Sequence, residues 1–123
     1  MIKAEELRNR TRDFAIRIVK MTDGLTRRLS TDILAKQLVR CSTSVGANYR
    51  AACRARSHSE FIAKIQIVQE EADEAQYWLE LLFRVGVLNE KEYALLEREA
   101  GELTAIFTSA AATARKNKST LSR

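Results

Sequence analysis

An all-α fold, an antiparallel up-down four-helix bundle, is what this sequence predicts, and three observations carry it. The 123 residues contain no proline, so no position lacks a backbone donor or has its φ fixed by a ring. Apolar residues recur at spacings of three and four almost throughout, which is the period of amphipathic helix. Only four glycines occur, too few for a loop-rich or all-β chain, and two of them punctuate the helical pattern. One domain of this length can bury one substantial core, and an apolar content of 46% argues against wholesale disorder.

The first helix places Leu7, Thr11, Phe14, Ile18 and Met21 on one face, and Gly24 ends it. Ser30 and Thr31 offer an N-cap for the second helix, whose inner stripe is Leu34, Leu38, Cys41, Val45, Asn48 and Ala52. Its opposite stripe reads Lys36, Arg40, Thr43, Ala47, Arg50 and Arg54. Ser57 followed by Glu60 is a capping-box pattern and marks a third start. That helix carries Phe61, Ile65, Val68, Ala72, Ala75, Leu79 and Leu82 inward, and Gly86 stops it. Asn89 with Glu92 repeats the capping pattern before a fourth stripe of Tyr93, Leu96, Ala100, Leu103, Phe107 and Ala110. Long helices joined by short turns favour antiparallel neighbours. The predicted bundle spans residues 1–115, and the pattern fades into a basic flexible tail, 116–123.

Between Ser42 and Asn48 the second helix is built of small residues, Gly46 among them. Small side chains lower helix propensity but let another backbone approach closely, so a tight helix crossing is expected there. Asn48, on the inward stripe, needs hydrogen-bond partners if buried.

The two cysteines, Cys41 and Cys53, fall on one helix, separated by about 18 Å of rise. A disulfide needs Cα atoms within about 7 Å, so the pair cannot close within the chain. Cys41 is expected in the core and Cys53 at its flank. Charged residues Lys3, Glu5, Glu6 and Arg8 interrupt any apolar leader, so no signal peptide is expected. The uncharged stretch 103–114 is shorter than the roughly 20 residues of a spanning helix, so no membrane association is expected. These features point to a reducing, cytoplasmic setting.

Catalytic constellations are sparse. His58 is the only histidine, sits beside a cap, and has no evident nucleophile and orienting partner. Glu70, Glu71, Asp73 and Glu74 crowd one helix, yet a di-iron site in a bundle needs a Glu-x-x-His pair on each of two helices, which one histidine cannot supply. Neither a phosphate loop nor a nucleotide fingerprint is present. No enzymatic activity, metal or cofactor is therefore expected.

Charge is more informative. The net charge of +5 divides into +8 over residues 1–56, −7 over 57–114 and +4 over 115–123. On the first helix Lys3, Arg10, Arg17 and Lys20 form a stripe flanked by Arg8 and Arg12. On the second, Lys36, Arg40, Arg50 and Arg54 line the outward face, with Arg56 at its end. Guanidinium forks match phosphate oxygens, so Arg10, Arg17, Lys20, Lys36, Arg40, Arg50, Arg54 and Arg56 are candidate contacts to a nucleic-acid backbone. Interleaved aromatics are missing, Tyr49 excepted, which disfavours sequence-specific reading. The same charges equally suit a solvated surface, or pairing with the acidic helices within the chain or between subunits.

The run Gln37–Asn48 (QLVRCSTSVGAN), Ser57 with Phe61-Ile62, and Glu74 with Tyr77-Trp78-Leu79 and Leu81-Leu82 resemble the four-helix-bundle family of 23S rRNA intervening-sequence proteins. The resemblance spans roughly residues 10–115. It departs at Cys41, where family members often carry alanine or serine. It implies a homopentameric barrel of four-helix subunits with a basic surface and no catalytic motif to carry over. A similar relative, the accessory variability protein of diversity-generating retroelements, binds nucleic acid and a reverse transcriptase. By that likeness the expected partners are further copies of the chain, RNA or DNA, and a protein such as a reverse transcriptase.

Overall fold

The structure, a computed structural model, describes residues 2–121, with side chains as far as 117. Four α-helices occupy it: α1 Ala4–Asp23, α2 Leu29–Cys53, α3 His58–Arg84 and α4 Glu90–Leu121. Among the described residues there is no strand. The connections are short, so each helix runs antiparallel to the next. α2 packs on α1 and α3, α3 on α4, and α1 meets α4 along the least extensive contact.

The termini follow local chemistry. At α3 the Ser57 hydroxyl accepts from the Glu60 amide at 3.0 Å. Only half of the expected box forms, because the Glu60 carboxylate takes the Arg56 amide at 3.2 Å rather than that of Ser57. Asn89 caps α4 through the Glu92 amide at 2.8 Å. Gly24 caps α1. Gly86, at φ +84°, is the one residue described in the left-handed region, the conformation that glycine adopts without the Cβ penalty. The start of α2 differs from expectation. It begins at Leu29 with Arg28 as cap and no side-chain cap bond, and Thr31 is buried instead of serving as the cap.

Each predicted stripe faces inward. Phe14, Ile18, Leu38, Val45, Ile65, Leu79, Leu82, Leu103 and Phe107 are almost wholly shielded; burying each side chain stabilises the fold by about 1.5–3 kcal/mol. The buried set also takes in Ser42 and Tyr49 of α2, Ile62 of α3 and Ala111 and Ala114 of α4, which extends three stripes beyond their predicted members. The apolar period of α4 ends at Ala114, while the helix continues to Leu121. Residues 122–123, the end of the predicted tail, lie outside the described residues.

The small-residue stretch of α2 sets the crossing with α1. A Cβ placed on Gly46 would lie 3.4 Å from the Thr11 Oγ1 and 3.6 Å from the Thr11 carbonyl carbon, so the two backbones touch with almost nothing between them. Thr11 is buried, and its hydroxyl donates to Leu7 O at 2.9 Å on its own helix, so the close contact leaves that hydroxyl satisfied. Asn48 is half-buried and donates to Ser44 O and Ser44 Oγ at 3.0 and 2.8 Å. Its partners are thus on its own helix, with no interhelical network.

Candidate functional site

The crossing at Thr11 and Gly46 pulls α1 and α2 together and leaves a groove along their outer seam. Arg8 and Arg12 rise from α1 on one bank, Arg50 of α2 and Arg54, the residue that closes its C-terminus, on the other. Each pair is spaced i, i+4, so its members stand one turn apart on one face. The groove encloses about 680 Å³, with Asn9 and Cys53 in its lining. A shallower depression of about 500 Å³ shares Ala47, Arg50 and Arg54 and carries the same surface on to Arg56 and Lys64. The one carboxylate there, Glu60, is engaged by the Arg56 amide.

Arg8, Arg50 and Arg54 make no ion pair or side-chain hydrogen bond among the described residues, and Arg12 has only a loose, exposed pair with Asp13 at 3.7 Å. Unneutralised guanidinium groups converging on one concavity raise the local positive potential and attract anions. Their fork geometry suits phosphate oxygens.

The candidate cations predicted from spacing separate into three groups. Arg50, Arg54 and Arg56 lie on this surface. Arg10 turns to the other side of α1, where its guanidinium binds Glu99 at 2.5 and 3.1 Å and Glu102 at 3.4 Å; those carboxylates raise its pKa, against a smaller opposing effect of burial. Arg40 reaches α3, meeting Glu71 at 3.1 Å and also Glu74, whose carboxylate accepts from the Trp78 indole at 2.9 Å. Arg17, Lys20 and Lys36 are exposed but outside the groove lining. The stripe of the first helix and that of the second therefore do not form one continuous face. Arg8 and Arg12, flanking residues in the sequence reading, are the α1 cations that face α2, and Lys64 was not singled out at all. Their signal was present: Arg8 stands three residues before Thr11 and Arg12 three before Ala15, the small residues that line the seam.

The opposite side of the molecule is acidic. Glu70, Asp73, Glu74, Glu80 and Glu97 rim a groove between α3 and α4 of about 650 Å³. Within it the Gln76 amide donates to Glu97 Oε1 at 2.8 Å. Among the described residues no group of three or more His, Cys, Asp or Glu is arranged to hold a metal ion.

His58 is half-buried. Its Nε2–H donates to Ala114 O at 2.8 Å, tying the start of α3 to the end of the α4 apolar stripe. Cys41 lies fully inside, and burial, reinforced by Glu74 and Glu71, pushes its thiol pKa up to about 12. Cys53 is exposed. No helix among the described residues is long and apolar enough to cross a membrane.

Fold and surface together define a class: a four-helix bundle with a cation-lined groove on one flank and an acidic one on the other. The sequence agrees over residues 4–109 with the family profile described as 23S rRNA-intervening sequence protein. The chain belongs to that family. It is similar to the crystal structure of a protein of unknown function from the S23 ribosomal protein family of Bacteroides thetaiotaomicron VPI-5482, with 33% identity and a TM-score of 0.82 over 89% of this chain and 98% of that one. Among curated proteins none matches.

Proposed function

We propose that this protein is a non-enzymatic, cytoplasmic RNA-binding adaptor that grips phosphates in the α1–α2 groove and acts as a homo-oligomer. The observation that carries the reading is the convergence of Arg8, Arg12, Arg50 and Arg54, whose one carboxylate partner is the exposed Asp13 at 3.7 Å from Arg12. Membership of a family described by an rRNA intervening sequence favours RNA over DNA. The non-enzymatic part rests on His58, whose ring is held by a main-chain carbonyl and so serves packing. A pentamer, implied by the family resemblance, would display several grooves on one particle and raise avidity without new contacts. A partner such as a reverse transcriptase would meet the remaining surface.

The test is an electrophoretic-mobility comparison on a generic structured RNA. Arg50→Ala with Arg54→Ala weakens binding at least about tenfold, whereas Arg17→Ala with Lys20→Ala changes it by less than about twofold. Equal losses in both double variants would show that net charge, not the groove, governs binding.

A second reading is favoured by the acidic groove of α3 and α4. One subunit's arginines would dock there on the next, giving a head-to-tail scaffold without nucleic acid. Light scattering decides between them. Arg50→Glu with Arg54→Glu dissociates the assembly in the scaffold reading and leaves its mass unchanged in the RNA-binding reading.

A further inference from the structure

The distribution of aromatic rings carries the reading one step further. Proteins that hold unpaired nucleic acid combine a basic groove with exposed rings on which bases stack. Helical RNA is recognised instead through its shape, its phosphates and its 2′-hydroxyls. From the placement of every ring in this chain, and resting on the phosphate-binding reading above, we infer that the α1–α2 groove takes base-paired RNA in preference to single strands.

Tyr49 is the one aromatic residue of α2, in the helix that forms one bank of the groove. It is only 6% exposed, and its ring lies 5.2 Å from Phe107 in the core. It offers no face to a base. Phe14 and Phe107 are sealed in the core, and Phe61 is packed against it and stacked on His58. The remaining four rings belong to α3 and α4 and pack against one another in pairs. Tyr77 meets Trp78 edge-on at 5.0 Å, and Phe83 stacks on Tyr93 at 4.3 Å. Tyr77 and Tyr93 line the groove rimmed by Glu70, Asp73 and Glu80.

Phosphate-binding groups and base-stacking groups are thus on opposite sides of one bundle. A single strand gripped by the arginines cannot lay its bases on Tyr77, because the intervening carboxylates repel its phosphates. A duplex asks for no stacking partner. Its bases are already stacked, and its charge density releases more counterions per contact than that of a single strand.

The experiment titrates the full chain with a short RNA duplex and with oligouridine of equal total phosphate, in the same buffer and at several salt concentrations. The duplex is expected to bind about tenfold tighter or more, and Tyr77→Ala, at an exposed position, to leave both affinities unchanged. Oligouridine binding as tightly as the duplex, or a loss of oligouridine affinity in Tyr77→Ala, overturns the duplex preference while leaving the arginine groove intact as a polyanion site. Failure of both RNAs to bind overturns the phosphate-binding reading and this inference with it.

Discussion

Cys41 and Cys53 stand twelve residues apart on one helix, in environments that predict opposite chemistry. Cys41 has no exposure, so a thiol reagent reaches it only when the bundle opens. Cys53 is exposed in the arginine groove. Titration with an aromatic disulfide under native conditions therefore modifies Cys53 alone, and denaturant releases Cys41; prompt reaction of both would contradict the core placement. The raised thiol pKa of Cys41 also sets an alkaline limit. The unfolded thiol ionises at its ordinary 9.0 and the native one only at about 12, so above pH 9 the unfolded chain binds fewer protons than the native one. Its contribution to stability is complete below pH 9 and falls as pH rises towards 12. Tyr49, raised from 10.0 to about 12 chiefly by burial, acts in the same direction. Thermal melts should show a falling midpoint over this window, with a shallower fall in Cys41→Ala; an unchanged profile in that variant would assign the alkaline loss elsewhere.

Helix ends and crossings were legible where a residue type has a single structural use. Gly86 stops α3 because only glycine takes φ +84° without strain. Gly86→Ala should cost about 1 kcal/mol, seen as a drop of several degrees in melting midpoint. Gly46 differs. An added methyl would stand 3.4–3.6 Å from Thr11, at ordinary van der Waals distance, and alanine improves helix propensity by up to about 1 kcal/mol. Gly46→Ala should therefore be neutral or slightly stabilising, while Gly46→Leu should force α1 from α2 and lower the midpoint; similar effects of both would refute the tight crossing. Inward stripes were readable because period 3.6 follows from helix geometry alone. What lay beyond reach depended on neighbours. Nothing in the spacing of Arg10 announces Glu99 on a helix 89 residues away, and nothing around His58 announces the carbonyl of Ala114. A basic stripe can be counted in a sequence, but which of its members are already neutralised is settled only by packing.

On the scale of the whole molecule, charge is divided across the bundle. The α1–α2 seam carries Arg8, Arg12, Arg50 and Arg54, of which only Arg12 has an ion pair, a loose one with Asp13; α3 and α4 carry the acidic groove, and the Arg10–Glu99 and Arg40–Glu71 bridges join the two halves. Such half-exposed pairs contribute about 1 kcal/mol or less each, so the core rather than these bridges holds the fold. Phe107, fully buried and packed on Tyr49, illustrates the contrast: Phe107→Ala should cost about 3–5 kcal/mol, measurable by denaturant titration, while Arg54→Ala should cost almost nothing. The central claim, that the arginine groove binds RNA phosphates, is tested most directly by the salt dependence of RNA affinity. Four phosphate contacts give a slope of log affinity on log salt of about −3 to −4, reduced by nearly 2 when Arg50 and Arg54 are both alanine. A flat dependence, or a slope unaltered by those substitutions, would contradict it.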